Sequence, residues 1–185
     1  MIKEVIKDVK QQMEKTLYNT REELGKVRTG QANISMVDSI KVDYYGTMTP
    51  IKQMANIGIP EPRLITIQPW DKTQLGAIEK AILKADIGIT PNNDGNIIRL
   101  PIPPLTEERR NDIIKMLHDM GEQRKVSIRN IRKEGMKTLK DAEHDGKISE
   151  DEKYNAEMDI QELTDKYIEE IDKLIASKEK EVRKV

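Results

Sequence analysis

All eight prolines of this chain fall within residues 31–105, and residues 1–30 and 106–185 hold none. Proline removes a backbone donor and clashes with the turn before it, so it breaks a helix interior. The two flanks can therefore form long helices, and the middle cannot. In the first flank, Ile2, Ile6, Val9, Met13, Leu17, Leu24 and Val27 recur mostly at steps of three and four, with Val5 beside them. That spacing predicts one amphipathic helix, closed near Gly30 by a left-handed residue. In the second flank, Thr106 is an N-cap candidate, and Glu107 and Glu108 suit the positive end of the helix dipole. Ile113, Leu117, Met120, Ile128, Ile131, Leu139 and Ala142 carry a stripe to about residue 143, where Asp145-Gly146 interrupts it. Ser149-Glu150-Asp151-Glu152 reads as a capping box opening a third helix. That helix carries Ala156, Ile160, Leu163, Tyr167, Ile171, Leu174 and Lys178 at the same steps.

The middle block has other periodicities. Ser39 to Tyr45 alternates with period two and stops at Gly46, which predicts a strand. Arg63 to Gln68 is a second β-rich run, and Asn96 to Ile102 a third, entered through the turn Pro91-Asn92-Asn93-Asp94-Gly95. Leu75, Ile78 and Ile82 predict a helix over Asp71 to Ala85, capped by Asp71 or Thr73. Three long amphipathic helices bury their stripes most economically against one another. The expected fold is α+β: an elongated three-helix bundle, residues 1–30 and 106–185, with a small inserted β/α domain, residues 31–105. Two chain crossings, at Gly30-Gln31 and at Pro101-Ile102-Pro103-Pro104, form a two-strand hinge.

Several functions are excluded or disfavoured. No stretch approaches the roughly 20 apolar residues of a membrane-spanning helix, so no membrane partner is expected. The N-terminus is too evenly charged for a signal peptide. There is no Cys, which fits a reducing, cytoplasmic setting. The two histidines, His118 and His144, have no nucleophile motif or glycine-rich phosphate loop to accompany them. We expect no enzyme, no catalytic residue and no cofactor. Asp141, Glu143, Asp145, Gly146 and Glu152 fall at positions 1, 3, 5, 6 and 12 of a calcium-loop template. A helix–turn–helix explains the same residues, so no metal site is assigned. Pro101-x-x-Pro104 reads as a rigid linker rather than a polyproline ligand.

Charge placement is more informative than the net charge of -1. Residues 121–140 carry seven bases against two acids, and residues 141–185 carry eight bases against fifteen acids. Lys125, Arg129, Arg132 and Lys133 are three or four residues apart, so they should share one helix face. Such a face suits phosphates, since Arg offers a planar fork and Lys a point charge. The competing reading is a solvated face paired with the acidic third helix. With few aromatic residues for base stacking, backbone recognition of structured RNA is favoured over reading of single strands. Two other classes remain open: a helical adaptor, which requires an exposed apolar stripe, and a single EF-hand-like calcium-binding protein.

Six segments resemble one family. They are Val27-Arg28-Thr29-Gly30-Gln31-Ala32, Val42 to Pro50 (V-D-Y-Y-G-T-M-T-P), Asp86 to Asn92, Leu100 to Arg110 (L-P-I-P-P-L-T-E-E-R-R), Val126 to Lys133 (V-S-I-R-N-I-R-K) and Ile148 to Glu152. Their order and spacing are similar to those of bacterial ribosome recycling factors over nearly the whole chain. The resemblance implies binding to ribosomal RNA of the large ribosomal subunit after termination. It also implies splitting of the ribosome with elongation factor G and GTP, by a monomer that hydrolyses nothing itself. It implies RNA contacts at Arg28, Arg110, Arg129, Arg132 and Lys133. The implied hinge is Gly30, Gln31, Pro101, Pro103, Pro104 and Leu105, and Tyr44 lies near the surface facing elongation factor G. Gln31 departs from the Arg or Lys common there, which implies a weaker RNA contact or none.

Overall fold

The helical stripes close on one another in a computed structural model that describes residues 1–184. The chain divides into two compact units, Met1–Val27 with Glu107–Lys184, and Arg28–Thr106. The first unit is the bundle of α1 (Ile2–Gly25), α3 (Glu107–His144) and α4 (Glu150–Arg183). The second holds six short strands and α2 (Leu75–Ala85).

In the bundle, α1 buries Val9, Met13, Leu17, Thr20 and Leu24, a strict run of three- and four-residue steps. The helix stops at Gly25 rather than near Gly30. Gly30 does take a positive φ of 77°, but in the second unit, where a Cβ on it would lie 3.1 Å from the Leu105 side chain. α3 buries Ile113, Ile114, Leu117, Gly121, Ile128, Gly135, Leu139 and Ala142. α4 buries Ala156, Ile160, Thr164, Tyr167, Ile171, Ile175 and Val182. Thr20 and Thr164 sit in the core because each hydroxyl donates 2.7 Å back to a carbonyl of its own helix, Thr16 and Ile160 respectively. That removes the cost of an unpaired buried hydroxyl. Thr164 and Ile175 take the core positions expected of Leu163 and Leu174, which are half-buried. The Ser149 capping box is complete: its hydroxyl accepts from Glu152 N–H, and the Glu152 carboxylate accepts from Ser149 N–H at 2.8 Å. That backbone bond holds the Glu152 carboxyl below the usual range.

The two glycines of α3 set how closely the helices approach. A Cβ on Gly135 would lie 2.7 Å from Val9 Cγ2 and 3.2 Å from Ile160 Cδ1, so α1, α3 and α4 meet there. A Cβ on Gly121 would lie 3.0 Å from Ile175 Cγ1.

The second unit is a hairpin and a four-stranded sheet packed with α2. β1 (Lys41–Tyr44) and β2 (Thr47–Pro50) pair antiparallel through a two-residue turn. Tyr45 and Gly46 at that turn both have positive φ, 49° and 85°, as the tightest hairpins require. β3 (Ala55–Glu61), β4 (Leu64–Pro69), β5 (Asn92–Asn93) and β6 (Ile98–Pro101) form the sheet, in the order β3-β4-β6-β5, all antiparallel. Its centre buries Ile65, Ile67, Ile98 and Leu100 with Ile78 and Ile82 of α2. Asp71 caps the 3₁₀ turn that leads into α2, accepting from Thr73 N–H at 3.0 Å. β2, β3 and β5 were not expected: Asn92 and Asn93 of β5 fall in the segment read as a turn, while β3 contains Gly58 and Pro60, and its exposed half does not alternate.

Gly135→Ala tests the three-helix junction. Alanine favours a helix by about 1 kcal/mol over glycine, but the close contact must be relieved, and overpacking costs about 1–3 kcal/mol. We expect net destabilisation in urea unfolding. Gly121→Ala, facing a looser contact, should be near neutral.

Candidate nucleic-acid interface

One turn of an α-helix spans 3.6 residues, so positions four apart advance by about 40° and positions seven apart return to within about 20°. On α3 the buried residues Leu117, Gly121, Ile128, Gly135 and Leu139 mark the inward side. Arg129, Lys133, Lys137 and Lys140 then fall on the outward side, at steps of four, four and three. All four are exposed, and none has an ion-pair or hydrogen-bond partner among the described residues. This is a row of cations on a rod of 38 residues.

The expected face splits in two. Lys125 does not join the outward row. Its Nζ lies 2.7 Å from Glu122 Oε1 and 3.0 Å from Asp172 Oδ1 of α4, and its side chain is 16% exposed. Hydrogen bonds to those carboxylates hold its ammonium above the ordinary lysine range. Arg124 is likewise engaged, with Nη2 2.6 Å from Glu23 Oε2 of α1. Arg132 is half-buried at the α3–α4 seam and donates through Nη1 to Gln161 Oε1 at 3.2 Å. Pairing with the neighbouring helices therefore accounts for the lateral bases, and it leaves the outward ones unpaired. Lys137 and Lys140 belong with Arg129 and Lys133. The repeat that picks out Arg129 and Lys133 continues through them and could have identified them.

The other expected contacts are not members of this row. Arg110 is nineteen residues before Arg129, or about 28 Å along the axis. It is half-buried, with Nε enclosed and without a hydrogen-bond partner among the described residues. Arg28 lies in the second unit, where its Nη2 donates to the Ile87 carbonyl at 2.7 Å. Pro101 ends β6, and Ile102 N–H donates to the Arg63 carbonyl at 2.8 Å. Gly30 lies beside Leu105, leaving little room for a Cβ, as described above. Gln31 is half-buried and Pro103 and Pro104 are exposed. Tyr44 is half-buried against the core of the second unit, with its ring 4.7 Å from that of Tyr45. The solvent-facing aromatic side chains there are Tyr45, 75% exposed, and Trp70, 71% exposed. Tyr45 donates through its hydroxyl to Asp71 at 3.3 Å.

The calcium template does not assemble. Asp141 and Glu143 lie within α3, two residues apart and so on different sides of it. Glu143 pairs with Lys153 at 2.8 Å, Asp145 with Lys147 at 3.0 Å, and Glu152 is used by the cap. Among the described residues no three acidic or histidine side chains converge to hold a metal. His118 Nε2 is 2.8 Å from Glu179 Oε2, a contact between α3 and α4, and that carboxyl is held down by Arg183 and His118. No helix among the described residues is long and apolar enough to cross a membrane. The exposed apolar residues Tyr18, Met116, Val126, Tyr154 and Met158 are distributed over three helices.

Fold and site together define a three-helix-bundle protein with an inserted β/α unit and, on α3, a row of cations with no partner among the described residues. Comparison with known proteins is specific. A sequence profile described as ribosome recycling factor matches residues 20–182. The ribosome-recycling factor of Acetivibrio thermocellus is 54% identical, over 97% of this chain and 98% of its own. That of Halothermothrix orenii is 51% identical over the full length of both. A solution structure of a ribosome recycling factor superposes with a TM-score of 0.79 at 42% identity, covering 100% of this chain and 98% of that one. A second structure describes the T. thermophilus factor and E. coli elongation factor G bound to the E. coli post-termination complex. It matches with a TM-score of 0.64 at 40% identity, covering 98% of both chains. This chain belongs to the ribosome recycling factor family.

The division between lateral and outward bases is measurable by unfolding. Lys125→Ala breaks contacts to Glu122 and Asp172 and should lower stability by about 1 kcal/mol, the upper end for a partly exposed pair. Lys133→Ala should stay within about 0.5 kcal/mol of the parent chain.

Proposed function

We propose that this chain acts in translation, binding the large ribosomal subunit after termination and splitting the post-termination ribosome with elongation factor G and GTP. Family membership supports this reading. The observation that carries it to particular residues is the unpaired row Arg129, Lys133, Lys137 and Lys140 on α3. A rigid helix bearing unpaired Arg and Lys is suited to phosphates of structured RNA, because neutralising them releases counterions and needs no base stacking. Arg132, at the edge of that row, adds a planar fork. We assign Arg129, Arg132 and Lys133 as the central ribosomal RNA contacts, with Arg110 and Arg28 as separate ones. Arg28 would have to exchange its bond to the Ile87 carbonyl for RNA.

The action is mechanical. The bundle anchors on RNA. α3 is about 57 Å long at 1.5 Å per residue, so it resists bending. Gly30, Gln31, Pro101, Pro103, Pro104 and Leu105 form the hinge about which the inserted domain, residues 31–105, swings when elongation factor G acts on it. Tyr44 and its exposed neighbour Tyr45 mark the end of that domain assigned to the factor-facing surface. The protein works as a cytoplasmic monomer, catalyses no reaction and needs no cofactor. Elongation factor G supplies the hydrolysis.

A subunit-splitting assay with purified post-termination ribosomes tests the whole reading. The chain should raise splitting above that with elongation factor G and GTP alone, and an absence of any increase would refute it. Lengthening the segment 101–105 should reduce splitting and leave large-subunit binding unchanged. Undiminished splitting would count against the hinge.

A further inference from the structure

The reading above makes Arg132 an RNA contact and says nothing of what aims it. Arg132 is held from α4. Its Nη1 donates to Gln161 Oε1 at 3.2 Å, and Gln161 Nε2 in turn donates to Asp165 Oδ1 at 2.8 Å. Gln161 and Asp165 are one turn apart on α4, so the chain of bonds runs from one helix across the seam to the other. An amide has a donor end and an acceptor end, and an ionised carboxylate can only accept. Asp165 therefore fixes which way the Gln161 amide points, and the carbonyl must face the guanidinium. Four of the five N–H donors of Arg132 remain unused by this contact.

We propose that Gln161 and Asp165 are positioning residues that orient the Arg132 guanidinium toward RNA phosphate while keeping a full negative charge out of contact with it. The inference rests on the reading of Arg132 as an RNA contact. Its physical content lies in the choice of a neutral amide. A carboxylate in place of Gln161 would bind the guanidinium more strongly, because charge-assisted bonds are about twice as strong as neutral ones. It would also compete with phosphate for the same fork. A neutral carbonyl restrains the arginine and leaves its charge available. Lost orientation should cost affinity without removing a cation, whereas a competing carboxylate should remove a cation's worth of counterion release. An ordinary structural hydrogen bond predicts neither.

The test is a double-mutant cycle on binding to purified large ribosomal subunits across a salt series, with thermal unfolding measured alongside. Arg132→Ala should weaken binding roughly tenfold or more and reduce the salt slope by about one. Gln161→Ala should weaken it roughly three- to tenfold with the slope unchanged, and should have no further effect in the Arg132→Ala background. Gln161→Glu should weaken binding more than Gln161→Ala and flatten the slope. Asp165→Asn, which keeps the shape of the side chain, should weaken binding about twofold, again only while Arg132 is present. Parental affinity for Gln161→Ala, or an equal loss with and without Arg132, would overturn the positioning role while leaving Arg132 as a contact. Parental affinity and slope for Arg132→Ala would instead refute the contact itself, and the positioning role with it.

Discussion

The bundle depends on how near three backbones can come at Gly135. With no side chain at that position, Val9 of α1 and Ile160 of α4 close on the α3 backbone, to the point that a Cβ would lie 2.7 Å from Val9. The neighbours along each stripe then pack in register, including Met13, Ile128 and Leu139, all at most 1% exposed. Each such side chain contributes about 1.5–3 kcal/mol by leaving water. The same contact fixes the rotation of α3 about its axis. With Gly135 inward, Arg129, Lys133, Lys137 and Lys140 have no choice but to face out. The position of the cations is thus a consequence of core packing, which is why a surface row can be held straight without salt bridges of its own.

Much of this fold was legible in the residues. Long helices follow from proline-free flanks with regular apolar spacing, and the Ser149 capping box marks the start of α4 without ambiguity. Core positions were less legible where the chemistry was not hydrophobic. Thr20 and Thr164 are 0% exposed because each satisfies its own hydroxyl within the helix, and hydropathy alone favours Leu163 over Thr164. Gly121 and Gly135 are weak helix formers whose role lies in what approaches them, and that is visible only once the partners are placed. In the second unit, β3 was hidden because Gly58 and Pro60 interrupt the pattern that strands usually show.

The site was legible to the same depth. Periodicity put Lys125, Arg129, Arg132 and Lys133 on one broad face, and it could not divide that face. The division came from neighbours remote in sequence: Glu23 of α1, and Gln161 and Asp172 of α4, claim Arg124, Arg132 and Lys125. The pairing expected of a solvated face therefore describes only part of the pattern. Lateral bases are paired into the bundle, and outward bases are not. Net neutrality is compatible with RNA contact because the acidic surplus sits largely on α4, while α3 carries the outward row Arg129, Lys133, Lys137 and Lys140.

The account stands or falls on whether the outward row of α3 is the surface that meets RNA. The most direct measurement is the salt dependence of binding to purified large subunits, compared between the parent chain and the double variant Arg129→Ala/Lys133→Ala. Each phosphate contact contributes nearly one unit to the slope of log affinity against log salt. The account predicts a slope shallower by between one and two, with unfolding unchanged. Parallel lines would contradict it, because they would mean that the unpaired cations touch no phosphate.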